Sequence, residues 1–247
     1  MPKKIVRSTS LANIAIIPAR GGSKRIPRKN IRLFAGQPMI TYPIKTAITS
    51  SLFDHVIVST DDKEIADFSE SLGATVPFTR PAELCDDFVG TGPIINHAIK
   101  WLLSNDYEFD YVCCIYATTP FLQARYLQNA FEQLKNSDKF FAFSTCTFPY
   151  PVQRALRKLD TGGNEPIWPE FISYRSQDLE EAIHDAGQFY WGTPEAFLNG
   201  KNMFSHDSIP VLLPRYLVQD IDTEEDWQQA EYMYETLKKH ASEFDFV

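Results

Sequence analysis

Cysteine, metal-ligand patterns and positive charge are what this sequence has least of. Its four cysteines stand at 85, 113, 114 and 146, with no C-x-x-C pair and with Cys113 next to Cys114. That spacing excludes a disulfide framework and a cysteine zinc site. The five histidines (His55, His97, His184, His206, His240) are scattered, without the spacing of metal ligands. A reducing, cytoplasmic compartment is the expectation. No apolar run approaches the ~20 residues of a membrane span. Lys3, Lys4 and Arg7, followed by Leu11 to Ile17, sketch a signal peptide. The apolar stretch is short, however, and runs into Pro18-Ala-Arg-Gly-Gly22 with no small-residue cleavage site, so it reads as a buried strand. Lys plus Arg total 24 against 32 Asp plus Glu, a net charge of −8. Broad electrostatic capture of nucleic acid does not fit that balance, and no membrane partner is expected. A small anionic ligand would need a local basic pocket.

What is present is the composition of a globular domain: 247 residues, 44% apolar and 23% charged. A chain this long buries roughly 70–75% of its unfolded surface and needs no covalent staple. Residues 1–10 read as a loose polar tail. Ala12 to Ile17 is the first buried strand. Pro38 to Ser51 has helical spacing, with Pro38 suited to the first turn. His55 to Ser59 is a second strand. Asp61-Asp-Lys-Glu64 opens a helix that Gly73 ends, with Asp62 as its cap. Ala74 to Phe78 is a third strand, Gly92 to Ser104 an amphipathic helix, and Asp110 to Ile115 a further strand. Thr118-Thr-Pro120 and a helix to Lys135 follow, then a strand over Phe140 to Thr145. Strands alternating with helices predict a Rossmann-like α/β fold, a mostly parallel sheet with helices on both faces. The rhythm breaks over 148–184, where four prolines and Gly162-Gly163 predict an inserted hairpin or arm. Alternation resumes with a strand at Gln188 to Trp191, a helix at 194–199, a strand at 209–213 and a last helix over 223–240. One domain over 11–247, with the arm inserted, is the expected organisation.

The sharpest feature is Pro18-Ala-Arg-Gly-Gly-Ser-Lys-Arg-Ile-Pro-Arg-Lys-Asn30. Five basic residues (Arg20, Lys24, Arg25, Arg28, Lys29) fall within ten positions, directly after the first strand. In an open α/β sheet the carboxyl ends of the strands are where ligands bind. Paired glycines let backbone N–H groups approach an anion. A unit-charge pair at 4 Å is worth about 4 kcal/mol at an effective dielectric of 20, before desolvation. Several such contacts would hold a triphosphate on a net-acidic protein. The loop is neither a Walker A sequence nor G-x-G-x-x-G, which argues against P-loop hydrolases and dinucleotide dehydrogenases.

The second feature is Asp220-Ile-Asp222. Carboxylates two apart in extended chain share a side. They suit a hard cation such as Mg2+, with water and phosphate completing its shell. The same residues also fit the acidic first turn of a helix, with Asp222 as the cap. Taken alone, the two readings weigh equally. No Ser/His/Asp or Cys/His order stands out, and displacement at phosphorus needs no protein nucleophile.

Ile16-Ile-Pro-Ala-Arg-Gly-Gly-Ser-Lys24, Ile26-Pro27 and Lys29-Asn30 resemble the first motif of the acylneuraminate cytidylyltransferases. Val58-Ser-Thr-Asp61, Arg80-Pro-Ala-Glu-Leu84 and Asp220-Ile-Asp222 resemble later blocks, in the family's order, so the resemblance spans about Leu11 to Trp227. Asp185-Ala-Gly-Gln-Phe-Tyr-Trp-Gly192 and Arg175-Ser-Gln-Asp178 resemble the pseudaminic acid branch, which serves surface and flagellin glycosylation. The N-acetylneuraminic branch usually carries an Asn-Gly-Ala-Ile-Tyr-like block instead.

The resemblance implies that CTP and a nine-carbon 2-keto sugar acid give a CMP-sugar and pyrophosphate. Arg20, Gly21, Gly22, Ser23, Lys24, Lys29 and Asn30 would hold triphosphate and ribose. Arg80, the Val89 backbone and Thr91 would meet the cytosine. Asp220 and Asp222 would bind Mg2+ and, with Lys24, carry catalysis. Gln188, Tyr190 and, more weakly, Arg175 would face the sugar. It also implies a homodimer in which the 148–184 arm, a dimerisation arm, reaches the partner's site. There are two departures: Arg25 replaces a usual Gly, and Tyr116-Ala117 replaces a usual Gln-Pro. N-acetylneuraminic or legionaminic acid as the sugar, or nucleotide binding without turnover, are the alternatives.

Overall fold

The computed structural model describes residues 12–86 and 88–240. The tail read over 1–10 lies outside the described residues. The chain forms β1 (Asn13–Pro18), β2 (Leu33–Phe34), β3 (Gln37–Pro38), α1 (Thr41–Thr49), β4 (His55–Ser59), α2 (Lys63–Ser71) and α3 (Thr91–Ser104). Then come β5 (Tyr111–Ile115), α4 (Ala124–Lys135), β6 (Phe141–Thr147), β7 (Leu156–Lys158), β8 (Asn164–Pro166) and β9 (Ile183–Gly192). The last elements are α5 (Pro194–Leu198), β10 (Ser208–Leu212) and α6 (Glu224–Lys238).

Six strands make the main sheet in the order β10-β6-β9-β5-β1-β4. Each central strand is apolar on both faces, as a sheet covered on both sides requires. Ile14 and Ile16 of β1 pack with Ile95, Ala98, Ile99 and Leu102 of α3. Ala15 and Ile17, on the opposite face, pack with Ile44 and Ala47 of α1 and with Leu127, Ala130 and Phe131 of α4. The period of two in the strand and 3.6 in the helices thus builds two cores from one sheet. β4 and α2 lie where the sequence places them. Asp62 caps α2 by accepting from the Ile65 N–H at 3.0 Å, and Gly73 follows the helix at φ +95°.

Two expectations are corrected, and one strand takes a direction that the alternation does not specify. Pro38 does not open a helix. It ends a two-residue hairpin whose turn, Ala35-Gly36, has both residues at positive φ (46° and 93°), and α1 starts three residues later. Ala74 to Phe78 makes only isolated parallel bridges, Thr75 to Ile57 and Thr79 to Thr60, because Pro77 between them has no N–H for a ladder. The resumed strand, β9, is not parallel. It pairs antiparallel with both β5 and β6. Only the arm joins β6 to β9, and no helix crosses back over the sheet, so the second strand must run the other way. The arm itself is a short antiparallel hairpin, β7 with β8, with Gly162 and Gly163 at φ +82° and +88° in its turn.

A third core positions the site. Ile26, Phe34, Met39, Tyr42, Leu217, Ile221 and Trp227 are buried together against α6. Ile26 belongs to the basic loop and Ile221 to the acidic pair, so one apolar cluster ties down both charged segments. Burying each such side chain contributes about 1.5–3 kcal/mol.

The close fit around β9 is testable. A Cβ on Gly192 would stand 2.6 Å from Phe141 and 2.9 Å from Phe197. Gly192→Ala is expected to cost about 1–3 kcal/mol by overpacking. That lowers the melting temperature by roughly 2–4 °C per kcal/mol in a chain of this size, as a thermal denaturation scan would record.

Candidate active site

β1, β4, β5, β6 and β10 run parallel to one another, so their carboxyl ends share one edge. The chain leaves β1 toward β4 on one side and later returns to β5 on the other. That reversal opens a crevice at the strand ends. A cavity of about 550 Å3 sits there, lined by the basic loop, by the segment from Arg80 to Ile94 and by Tyr116–Thr118.

The basic loop is pinned at its root. The Ala19 N–H donates to the Ser59 carbonyl at 2.9 Å, and Asn30 donates from Nδ2 to the Arg20 carbonyl at 2.9 Å. Only one of the two glycines is sterically required. A Cβ on Gly21 would lie 2.8 Å from Cβ of Asp62, whereas Gly22 has nothing within 4 Å. The Gly21 N–H is already given to Asp61 Oδ1 at 2.9 Å. Arg20, Ser23, Lys24, Arg25 and Lys29 all line the cavity, side chains of the kind that can meet an anion. Arg28 turns away and bridges Asp62 and Glu64 on α2.

At the other end of this cavity Arg80 is buried, its guanidinium donating to the Ser59 hydroxyl at 3.2 Å and to the Ser59 carbonyl. Burial pushes its pKa down from the ordinary arginine value. Val89 and Thr91 share the lining. Thr91 is the first residue of α3, and its hydroxyl lies 3.1 Å from that of Tyr116.

The acidic pair is not the cap of α6. Thr223 is, through a reciprocal box with Asp226. Asp222 instead meets the basic loop, 2.7 Å from Arg25 Nη1 and 3.3 Å from Lys29 Nζ, and Lys29 also donates to the Ile221 carbonyl at 2.6 Å. Asp220 lines a second cavity. Desolvation, and then the charge of Asp222, raise its pKa. Among the described residues no three or more His, Cys, Asp or Glu side chains gather as a metal cluster. Two carboxylates of this kind still fit Mg2+, which takes one or two carboxylates and completes its shell from water and phosphate.

The second cavity, also about 550 Å3, adjoins the first and shares Tyr116 and Thr118 with it. Asp185, Tyr190 and Arg215 help to line it. The Tyr190 hydroxyl donates to Asp185 Oδ2 at 2.6 Å. Two sequence-predicted sugar residues lie elsewhere. Gln188 is buried behind the wall, donating to the Leu217 carbonyl at 2.5 Å, and its Oε1 has no partner. It braces the segment that leads to Asp220. Arg175 stands on the arm, paired with Asp178 at 2.7 Å, and lines neither cavity of its own chain. Arg215, by contrast, was not singled out from the sequence. Its one signal is its place just after Pro214, at the carboxyl end of β10.

Comparison with known proteins fits this geometry. A family model described as cytidylyltransferase matches residues 14–158. This chain belongs to the cytidylyltransferase family. The pseudaminic acid cytidylyltransferase of Campylobacter jejuni is 42% identical, over 95% of this chain and 100% of that protein. A CMP-N,N'-diacetyllegionaminic acid synthase from Legionella pneumophila is 34% identical over 90% and 96%. The cytidylyltransferase fold also matches a solved CMP:2-keto-3-deoxy-manno-octonic acid synthetase, with a TM-score of 0.65 and 16% identity over 92% of this chain and 99% of that one.

Two predictions test the loop. Gly21→Ala should displace Asp62 and weaken the α2 cap, lowering stability by about 1–2 kcal/mol, while Gly22→Ala should leave the melting temperature unchanged. Separately, the Arg28 hydrogen bond, with support from the Ile65 N–H, holds the Asp62 pKa below the usual carboxylate range. A depressed pKa gives stability that is present above the unfolded value of about 3.9 and lost as the pH falls through the folded value. Asp62→Asn, which keeps a capping side chain, should therefore melt lower than wild type at pH 7. The gap should close progressively in melts taken below about pH 4.

Proposed function

We propose that this cytidylyltransferase joins CTP to pseudaminic acid, giving CMP-pseudaminic acid and pyrophosphate. The observation that carries the reading is the pair of adjoining cavities, one lined mainly by cations and one by hydroxyls, carboxylates and Arg215, with Tyr116 and Thr118 in both. Such a pair suits a two-substrate reaction at a shared boundary. The identity to the Campylobacter jejuni protein over its whole length supports the choice of sugar.

The anomeric hydroxyl forms the new P–O bond at the α-phosphorus, the bond to pyrophosphate breaks, and the hydroxyl proton passes to water. Lys24, Arg20 and Lys29, which line the first cavity, offset the charge that gathers on the phosphoryl oxygens. Arg80, Thr91 and the Val89 backbone define the base end, and Asp185 and Tyr190 face the sugar. Asp220 and Asp222 are the residues that would hold Mg2+, which when bound would neutralise phosphate charge. The Arg25 and Lys29 pairs with Asp222 are ones that a triphosphate could exchange for contacts of its own.

The arm exposes Tyr150, Leu156, Ile172 and Tyr174. That apolar surface suits a second copy of the chain in a homodimer. All four cysteines are free, and no helix among the described residues is long and apolar enough to cross a membrane. These facts fit a cytoplasmic enzyme that supplies an activated sugar for surface or flagellin glycosylation.

The test is a competition. Protein, CTP and Mg2+ are incubated with equal pseudaminic, legionaminic and N-acetylneuraminic acids, and CMP-sugars are identified by mass spectrometry. CMP-pseudaminic acid should dominate. A different CMP-sugar would overturn the substrate, and CTP binding without pyrophosphate release would overturn the enzyme. Lys24→Ala should lower kcat by roughly a hundredfold or more at an unchanged melting temperature. Asp222→Ala should remove the dependence on Mg2+.

A further inference from the structure

Tyr116 is where the two cavities meet, and its contacts run into both. Its backbone is fixed: its N–H donates to the Gln188 carbonyl at 2.9 Å, and its carbonyl accepts from the Thr119 hydroxyl at 2.8 Å. Its ring packs on that of Tyr190, with centroids 5.2 Å apart. On the nucleotide side its hydroxyl shares one hydrogen bond with Thr91, in which either oxygen can be the donor. On the other side Tyr190 gives its proton to Asp185. The Thr91–Tyr116 and Tyr190–Asp185 hydrogen bonds are thus joined across the boundary by the contact of the two tyrosine rings. Thr91 lines the first cavity and not the second.

A hydroxyl has one proton to give and two lone pairs. Burial pushes the Tyr116 phenol up, so it keeps its proton. The Thr91–Tyr116 bond can point either way in the free protein. A nucleotide oxygen that accepts from Thr91 settles the direction. With the Thr91 proton given to the nucleotide, the 3.1 Å bond to Tyr116 is kept only with the phenol as its donor. The phenol, on a residue that also lines the second cavity, is left with lone pairs only, which can accept from a hydroxyl or amide N–H.

We propose that Tyr116 is a positioning residue that couples the two substrate sites, so that bound nucleotide sets the hydrogen-bonding sense of the acceptor pocket through Thr91. The acceptor class is a polyhydroxylated, amide-bearing sugar acid that donates a hydrogen bond to the phenol. This inference rests on the cytidylyltransferase reading above and adds a linkage between its two sites. Such linkage is reciprocal in binding: each ligand must tighten the other by the same factor.

The experiment compares wild type, Thr91→Val, Tyr116→Phe and the double variant, all checked by thermal melts. KM is measured separately for CTP and for pseudaminic acid. Calorimetry with a non-hydrolysable CTP analogue is run with and without the sugar. Thr91→Val should raise the sugar KM about threefold to tenfold, although Thr91 does not line the sugar cavity. Tyr116→Phe should do the same, and the double variant should be no worse than either single one, as members of one relay require. In wild type the sugar should tighten the analogue, and both variants should lose that effect. A Thr91→Val effect confined to the CTP KM, effects that multiply in the double variant, or no mutual tightening in wild type would each overturn the coupling while leaving the enzyme assignment intact. Failure of wild type to form any CMP-sugar would overturn both.

Discussion

The apolar cluster beneath α6 decides where the charges of this site stand. Ile26 sits within the basic loop and Ile221 between the two aspartates, and both are fully buried in it. Because Ile221 points inward, Asp220 and Asp222 must point outward. The Arg25–Asp222 pair joins the same two segments, but its side chains are 68% and 31% exposed. A pair that open contributes about 0–1 kcal/mol. Several buried apolar side chains at about 1.5–3 kcal/mol each outweigh it. The site is therefore held by hydrophobic contact, and its ion pairs are free to exchange.

The antiparallel strand explains the second cavity. Parallel strands deliver their carboxyl ends to the ligand edge, and β9 delivers its beginning. Asp185 therefore arrives at the same edge as Tyr116 of the β5 end and Thr147 of β6. With β9 between them, β5 and β6 stand about 9–10 Å apart, two interstrand spacings. That width separates the β1–β5 crevice from a second space. The arm is the connection that makes this geometry possible, because it returns the chain to the sheet without a crossing helix.

The sequence made the contiguous features legible. β4, the Asp62 cap, the basic loop and the acidic pair are each written in neighbouring residues. The direction of β9 was not legible, because a buried strand has the same period of two either way. Gln188 misled for a related reason. Beside Tyr190 it has the look of a ligand residue, but the two differ in fate: Gln188 braces Leu217 and Tyr190 lines a cavity. Pro38 was misread because the Ala35-Gly36 turn has no strong hairpin signal beyond one glycine. Arg215 and Arg175 show the limit most clearly. Only tertiary placement brings the first to a cavity and leaves the second on the arm.

Concentrating cations on one loop, even in a protein of net charge −8, raises a problem of like-charge repulsion. Unpaired, Arg25, Arg28 and Lys29 would repel one another across a narrow loop. Each instead has a carboxylate partner at the rim: Asp222 for Arg25 and Lys29, Asp62 and Glu64 for Arg28. The two sets differ in permanence. Asp62 also caps α2 and stands against Gly21, so the Arg28 pair is built into the loop's support. Asp222 has no capping duty, since Thr223 performs it. Its pairs with Arg25 and Lys29 are the ones a polyanion can replace at small cost. The loop can thus keep its shape through Arg28 while its remaining cations change partners, which a site that must bind, react and release requires.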